Sequence, residues 1–196
     1  MKKIVLSSGV IVLAVVIFLL FTNFETAPIE NLPIEDQPMV GNADAKATIV
    51  EFGDFMCPDC KEFAQEEFPA IKEELIDTGK AKMYFIDNPF VKQPESTYAS
   101  VIGESLLVKD EELFWQFYHE LYAESELTEQ KILDIAKNLS PTTDFTDLDA
   151  LEKEVQEDRD FAEENNINSV PTVFVDGKSV NANFEDIKEA IEKSEN

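Results

Sequence analysis

The cysteines of this chain form the motif Cys57-Pro58-Asp59-Cys60, which follows the apolar run Ala47–Phe52. Where a strand leads into a helix, such a motif places its first sulfur at the helix N-terminus. Unpaired N–H groups and the helix dipole favour a thiolate there. Pro58 suits an early helical position, because its missing N–H costs nothing and its fixed φ helps to keep the turn rigid. The motif therefore predicts a dithiol/disulfide redox centre with an activated Cys57.

Two other uses of the cysteine pair are less well supported. As a structural staple, a disulfide across so short a loop removes only about 2 kcal/mol of unfolded-state entropy. A structural zinc site needs four ligands, and the chain adds to its two cysteines a single distant histidine, His119. We assign His119 no catalytic role, and we assign no metal ligand and no cofactor to the chain.

Further features make the chain resemble a known family. Glu51-Phe52 precedes the Cys-Pro-x-Cys motif, and Val170-Pro171-Thr172 comes after a long middle segment and leads into another strand. In this order, the features resemble the DsbA family of thioredoxin-like thiol:disulfide oxidoreductases, and most of all the membrane-anchored BdbD-type members of low-GC Gram-positive bacteria. The similarity covers roughly Val40 to Lys193.

The resemblance implies a role for Glu51. In the family, a buried acid at this position acts as the base that deprotonates the deeper thiol, here Cys60, before it attacks the mixed disulfide. A desolvated carboxylate suits this task because burial raises its pKa toward the working range. The structural alternative is a salt bridge between Glu51 and Lys82 on the neighbouring strand.

The resemblance also implies that Val170 and Pro171 bind substrate. In the family this proline is cis and lies beside the disulfide, and the residue before it offers backbone groups to an extended substrate chain. The alternative is an ordinary trans proline that begins a strand. Phe55, Met56 and Phe90 are candidates either for an apolar rim around the site or for the core.

Asp59 and Pro58 are the residues expected to modulate the redox centre. Asp59 stands where the best-known family members carry a histidine, whose cation stabilises the thiolate and makes the disulfide strongly oxidising. An aspartate at roughly 6 Å should instead raise the Cys57 pKa by about half a unit to two units. We therefore expect a Cys57 pKa below that of free cysteine, and a milder oxidant than the histidine-bearing members.

The order of predicted elements indicates an α/β fold. A strand over Ala47–Phe52, a helix over 58–77 with a kink at Pro69, and a strand over Lys82–Asp87 come first. A hairpin around Asp176-Gly177 and a helix over Phe184–Lys193 come last. About residues 96–165 form a helical insertion, with predicted helices over Ser96–Val108, Glu111–Ala123, Glu129–Asn138 and Asp147–Asn165. This plan matches a thioredoxin fold, a mixed central sheet flanked by helices, with an inserted helical subdomain.

The N-terminal part predicts a membrane anchor within residues 1–24. The uncharged apolar run Ile4–Phe21 has about the length of a transmembrane helix, and Lys2-Lys3 before it predict an N-in orientation. A poor cleavage site near Thr26-Ala27 favours an uncleaved anchor over a cleaved signal peptide. Residues 25–40, rich in proline and acids, predict a solvated linker, and residues 41–196 the catalytic domain on the extracytoplasmic side of the cell membrane.

Charge narrows the choice of partners. With 41 acidic and 16 basic residues, the chain has a formal net charge of −25, which argues against nucleic acid and anionic membrane surfaces as partners. The acidic residues lack the spacing of an EF-hand, and the sequence leaves open whether any of them hold a divalent cation.

These features predict a monomeric, extracytoplasmic thiol:disulfide oxidoreductase that donates its Cys57–Cys60 disulfide to reduced or unfolded exported polypeptides. The resemblance implies reoxidation by a quinone-linked, DsbB-like membrane protein. A reductase or isomerase of the same fold remains an alternative, although the sequence contains no visible dimerisation module. A thioredoxin-like chaperone or binding module with a regulatory dithiol is the alternative from another class.

Overall fold

The computed structural model describes residues 28–146 and 148–194, and its strands form one mixed sheet. The strands are β1 (Met39–Gly41), β2 (Ala47–Gly53), β3 (Ala81–Asp87), β4 (Thr172–Val175) and β5 (Lys178–Val180). Their order across the sheet is β1-β3-β2-β4-β5, with β2 and β3 parallel and the other neighbours antiparallel. The predicted mixed sheet is confirmed.

The helical stretch after Cys57, which we name the cysteine helix, changes its hydrogen-bond pattern along its length. It consists of α1 (Pro58–Glu62), a π-helical stretch (Phe63–Glu67), α2 (Phe68–Ile71) and a second π-helical stretch (Lys72–Ile76). Pro69 has no N–H to donate, and it is the second residue after the end of the first π-helical stretch, where the wider turn relieves the clash with the preceding carbonyls. The irregularity predicted at Pro69 therefore takes the form of a π-helical turn.

The remaining helices are α3 (Glu95–Leu107), α4 (Glu111–Ala123), α5 (Glu129–Leu139), α6 (Asp149–Glu164) and α7 (Phe184–Ser194). The first four lie between β3 and β4 and form the predicted helical insertion. Side-chain caps define two of their starts, because Asp110 accepts from the Glu112 N–H at α4 and Thr128 accepts from the Lys131 N–H at α5.

The two faces of the sheet carry different cores, because successive β2 side chains point to opposite sides. Ile49 belongs to the larger core, which includes the cysteine helix, α7 and the helical insertion. Val50 and Phe52 belong to the smaller core, with Ala162 of α6. Glu51 shares the side of Ile49, so its carboxyl group points into the larger apolar core.

Residues 29–41 are part of the folded domain rather than a solvated linker. Ile29, Leu32 and Ile34 pack against the smaller core, and the Ile29 N–H donates to the Gly177 carbonyl oxygen at 2.8 Å. β1 then pairs with the edge of β3. The proline-rich and acidic composition of residues 25–40 does not predict this packing, because the side chains that contact its apolar residues are distant in the sequence.

The predicted anchor, Ile4–Phe21, lies outside the described residues. Within residues 28–146 and 148–194, no helix has both the length and the apolar character needed to cross a membrane.

Candidate active site

The two cysteines lie at the start of the cysteine helix and differ in access. Cys57 is the N-cap residue, with extended backbone, and Pro58 follows at the first helical position. Both cysteines are free thiols. Cys57 retains 6% of its surface and Cys60 none. Cys57 is therefore the sulfur that another protein can reach, and Cys60 is the internal one.

The surroundings of Cys57 lower its pKa to about 7. The largest cause is the hydrogen bond from the Cys60 thiol, and backbone N–H groups of Cys60 and Asp59 act in the same direction, while burial opposes them. The Asp59 carboxylate also raises the pKa. The predicted helix-terminus activation and the predicted opposing effect of Asp59 both have the expected sign.

Cys60 is in the opposite situation, because burial raises the pKa of its thiol. Its hydrogen bond to Cys57 and the negative charge of Glu51 raise that pKa further. Cys60 therefore stays protonated at neutral pH and needs a nearby base before it can attack a disulfide.

Glu51 is fully buried, and burial raises the pKa of its carboxyl group to about 8. Tyr118 lowers that pKa, because its hydroxyl donates to Glu51 Oε2 at 3.1 Å. Glu51 Oε1 has no hydrogen-bond partner among the described residues. Lys82 donates to the Ala43 carbonyl oxygen at 2.8 Å instead, so the alternative of a Glu51–Lys82 salt bridge is wrong.

The Val170–Pro171 peptide lies beside Cys57. This peptide bond is cis, as the family resemblance implied, and not the trans bond of the alternative. The Cys57 thiol donates to the Val170 carbonyl oxygen at 3.3 Å. The structure thus brings the two separate sequence motifs together at one place.

Asp54 connects the turn before Cys57 to the loop after β3, a structural role that the sequence analysis did not predict. Its buried carboxylate accepts hydrogen bonds from the Met56, Phe90 and Val91 N–H groups, each at 2.8 Å. Its carbonyl oxygen accepts from the Cys57 N–H at 2.9 Å. An aspartate directly after a strand is a common turn residue, and that is the signal that could have identified it.

The three candidates for an apolar rim, Phe55, Met56 and Phe90, differ in how much of their surface is exposed to solvent. Phe90 and its neighbour Val91 expose 37% and 41% of their surface, and Met56 is partly buried. Phe55 lies in the core, with its ring centroid 5.5 Å from that of Tyr122. Phe90, Val91 and Met56 are therefore available to a substrate, and Phe55 is not.

A second group of buried carboxyl groups lies away from the cysteines, on Asp87, Glu104 and Asp158. Burial raises the pKa of Asp87 to about 8 and of Asp158 to about 7, and it raises that of Glu104 well above its usual value. Gln37 donates to both Asp158 carboxylate oxygens at 2.9 Å. Asp87 Oδ2 and Glu104 Oε1 have no hydrogen-bond partner among the described residues.

Comparison with known proteins places this geometry among disulfide-forming enzymes. Residues 34–193 match the protein-family model described as thioredoxin. The probable disulfide bond formation protein D of Bacillus anthracis is 34% identical over 93% of this chain and 89% of its own length. The disulfide bond formation protein D of Bacillus subtilis (strain 168) is 35% identical over 82% of this chain and 78% of its own length.

Solved structures agree with these relatives. Oxidised BdbD from Bacillus subtilis superposes with a TM-score of 0.69 at 31% identity, over 86% of this chain and 96% of that one. The thiol-disulfide exchange protein α-DsbA2 from Wolbachia pipientis gives a TM-score of 0.67 at 24% identity, over 81% and 87% of the two chains. The second likeness concerns the fold alone.

Proposed function

We propose that this chain, which belongs to the thioredoxin family together with the disulfide bond formation D proteins, is a thiol:disulfide oxidoreductase. Its reaction is the oxidation of dithiols in exported proteins. The observation that carries the proposal is the asymmetry of its cysteines. Cys57 is reachable, with a pKa lowered to about 7, and Cys60 is enclosed, with a raised pKa. One sulfur is thus built to exchange with a partner and the other to resolve the mixed disulfide.

Substrate oxidation transfers two electrons to the enzyme in two exchanges. A substrate thiolate attacks Cys57 Sγ, the Cys57–Cys60 bond breaks, and Cys60 leaves as a thiolate that takes up a proton. The second substrate thiol loses its proton and attacks the substrate sulfur of the mixed disulfide. The substrate disulfide forms and Cys57 leaves as a thiolate, which its lowered pKa makes a good leaving group.

Glu51 serves as the proton donor and acceptor for Cys60. With a pKa raised to about 8, its carboxyl group is mostly protonated at neutral pH and can donate to the departing Cys60 thiolate. When the enzyme is reoxidised, the carboxylate takes the proton back, and the Cys60 thiolate attacks the mixed disulfide on Cys57.

Val170 and Pro171 border the substrate position, with Phe90, Val91 and Met56 as apolar contacts for an unfolded chain. The Val170 carbonyl oxygen already contacts the Cys57 sulfur, so a segment paired with this backbone lies directly beside the reacting atom. Pro58 and Asp59 act on the rate and potential rather than on binding.

The proposed setting is the outer side of the cell membrane. Ile4–Phe21 acts as a single-pass, N-in anchor, and a quinone-linked, DsbB-like membrane protein reoxidises the dithiol. The domain works as a monomer. The lowered Cys57 pKa stabilises the reduced form, and this favours an oxidant over a reductase.

The test is stoichiometric oxidation of a reduced, unfolded secreted protein by the oxidised enzyme. We expect substrate thiols to disappear with loss of the Cys57–Cys60 disulfide. Cys60→Ser cannot form that disulfide, so its Cys57 is first converted to a mixed disulfide with an aromatic thiol. A substrate with a single thiol should then displace the aromatic thiol and stay bound to Cys57 as a mixed disulfide. Cys57→Ser is the matched inactive control. Suppressed aggregation without any thiol loss would instead identify a chaperone, and a strongly reducing potential in glutathione titration would identify a reductase.

A further inference from the structure

The two carboxyl oxygens of Glu51 have different surroundings. Oε2 accepts the Tyr118 hydroxyl at 3.1 Å, whereas Oε1 is buried with no hydrogen-bond partner among the described residues. Gly53 lies next to Oε1, and a Cβ atom at Gly53 would lie 3.3 Å from it. A buried acceptor without a partner is rare and costly. Oε1 is therefore the carboxyl oxygen that can still accept a proton, whereas Oε2 already accepts the Tyr118 hydroxyl.

We propose that Tyr118 is a positioning residue for thiol–disulfide exchange: its hydroxyl holds Glu51 Oε2 and leaves Oε1 as the oxygen that exchanges a proton with the Cys60 thiol. The inference rests on the proposed role of Glu51 and extends it to a partner residue on α4.

The position of the Tyr118 hydroxyl is set by packing. The side chain is fully buried, and its ring contacts other rings on several sides, with centroid distances of 4.8 to 6.2 Å to Tyr122, Trp115, Phe85, Phe68 and Phe55. Because these contacts allow the ring little movement, the hydroxyl offers its proton at a fixed point. Glu51 can therefore rotate away only by giving up a buried hydrogen bond.

During reoxidation, the Cys60 S–H bond breaks and the proton forms an O–H bond with Glu51 Oε1. The Cys60 thiolate then attacks Cys57 Sγ in the mixed disulfide, the Cys57–Cys60 bond forms, and the partner's sulfur leaves with the electron pair. Tyr118 assists because its hydrogen bond stabilises the carboxylate form and lowers the Glu51 pKa from the value that burial alone would set. Without this bond, Glu51 stays protonated to higher pH and is a poorer acceptor at neutral pH.

The groups that influence this proton transfer come from three elements. β2 provides Glu51, the cysteine helix provides Cys60 with Cys57 at its N-cap, and α4 provides Tyr118. Tyr122, also on α4, responds to the charges of Cys60, Glu51 and Asp54, which raise its own pKa. The negative charges of these groups raise one another's pKa values, whereas the hydrogen bond from Tyr118 lowers the pKa of Glu51 and the hydrogen bond from Cys60 lowers that of Cys57. Tyr122 donates to the Asp54 carbonyl oxygen at 3.3 Å rather than to Glu51, which makes Tyr122→Phe a matched control.

The experiment mixes the reduced protein rapidly with an excess of a chromogenic aromatic disulfide across a range of pH. The first release of aromatic thiol reports attack by Cys57, and the second, independent of reagent concentration, reports attack by Cys60. For Tyr118→Phe we expect an unchanged first phase. Its second phase should slow about 10-fold at neutral pH, with a pH midpoint about one unit higher, as the loss of a hydrogen bond to a charged group implies. Tyr122→Phe should retain the wild-type midpoint.

Glu51→Gln separates the two levels of the inference. If this variant keeps the wild-type second phase, the proposed role of Glu51 fails, and the role of Tyr118 fails with it. If Glu51→Gln slows the second phase while Tyr118→Phe leaves the midpoint in place, Tyr118 is a structural residue and only this inference is overturned. Should Tyr118→Phe not fold, 3-fluorotyrosine at position 118 replaces it. As a stronger donor it should lower the midpoint, and an unchanged midpoint would contradict the inference.

Discussion

The Cys57 thiol donates to the Val170 carbonyl oxygen at 3.3 Å, and this contact joins two segments that lie 113 residues apart in the sequence. A thiolate has no proton to donate, so the hydrogen bond is lost as pH rises through the Cys57 pKa of about 7. We expect the ¹³C carbonyl resonance of Val170 in the reduced protein to titrate with that midpoint. In Cys57→Ala the same resonance should not change over this range, and a wild-type resonance that stays constant would show that the contact does not form in solution.

Replacing Asp59 should change the redox properties of the dithiol in a graded way. Asp59 is exposed and its charge raises the Cys57 pKa. We expect Asp59→Asn to lower that pKa by about half a unit and Asp59→His by about one unit, which corresponds to a potential roughly 30 mV more oxidising. Thiolate absorbance and glutathione redox titration measure the two quantities. Equal values for wild type and both variants would mean that solvent screens position 59 fully.

Glu104→Gln should remove part of the pH dependence of stability. The pKa of Glu104 is raised above 4.5 in the folded state, so the folded protein holds a proton that the unfolded chain releases. Stability from this group is therefore present below about pH 4.5 and is lost as pH rises through the raised folded pKa. We expect the variant to be more stable than wild type at pH 8, and the difference between the two to be much smaller at pH 5.

Urea unfolding in buffer containing a chelator measures this difference. The same substitution at an exposed acid of α4, Glu120→Gln, is the control, and it should change stability by no more than about 0.5 kcal/mol at either pH. A gain for Glu104→Gln that is equal at both pH values would contradict titration of Glu104 as the cause.

Gly53→Ala should destabilise the domain by about 1–3 kcal/mol, since overpacking a core forces its neighbours to shift. A Cβ atom at this position would lie 2.3 Å from Phe85 Cε2, and Phe85 is fully buried. Gly103→Ala is the comparison, because its Cβ atom would meet Phe114 at 3.2 Å and alanine favours the helix. Thermal unfolding of both variants decides the point, and similar melting temperatures would show that the Phe85 ring moves aside easily.

The sequence predicted the parts of the fold that depend on local pattern. The run before Cys57, the Asp-Gly hairpin and the four inserted helices each carry their own periodicity or turn signal, and the structure contains all of them. Cys57, Cys60 and the cis Val170–Pro171 bond were expected from motifs that resemble a family, and the structure brings them together.

What the sequence did not predict depends on distant partners. Met39 and Val40 of β1 were assigned to a linker. The strand has only three residues, and its hydrogen bonds form only when the edge of β3 is in place beside it. Nothing in the sequence separates Tyr118 from the other aromatic residues of α4, and its hydroxyl gains its partner only when the fold brings Glu51 next to it. Glu104 could not be distinguished among 41 acidic residues, since burial by α3 and its neighbours is what sets it apart.

The hydrogen bond from the Ile29 N–H to the Gly177 carbonyl oxygen fixes where the N-terminal segment joins the domain. Gly177 belongs to the turn that contacts Thr48, at the start of β2, while the cysteines follow the other end of that strand. The described chain therefore enters the domain at the end of β2 opposite to Cys57 and Cys60. A label or an immobilising tag on the N-terminal side of Ile29 is thus attached away from the reactive sulfur.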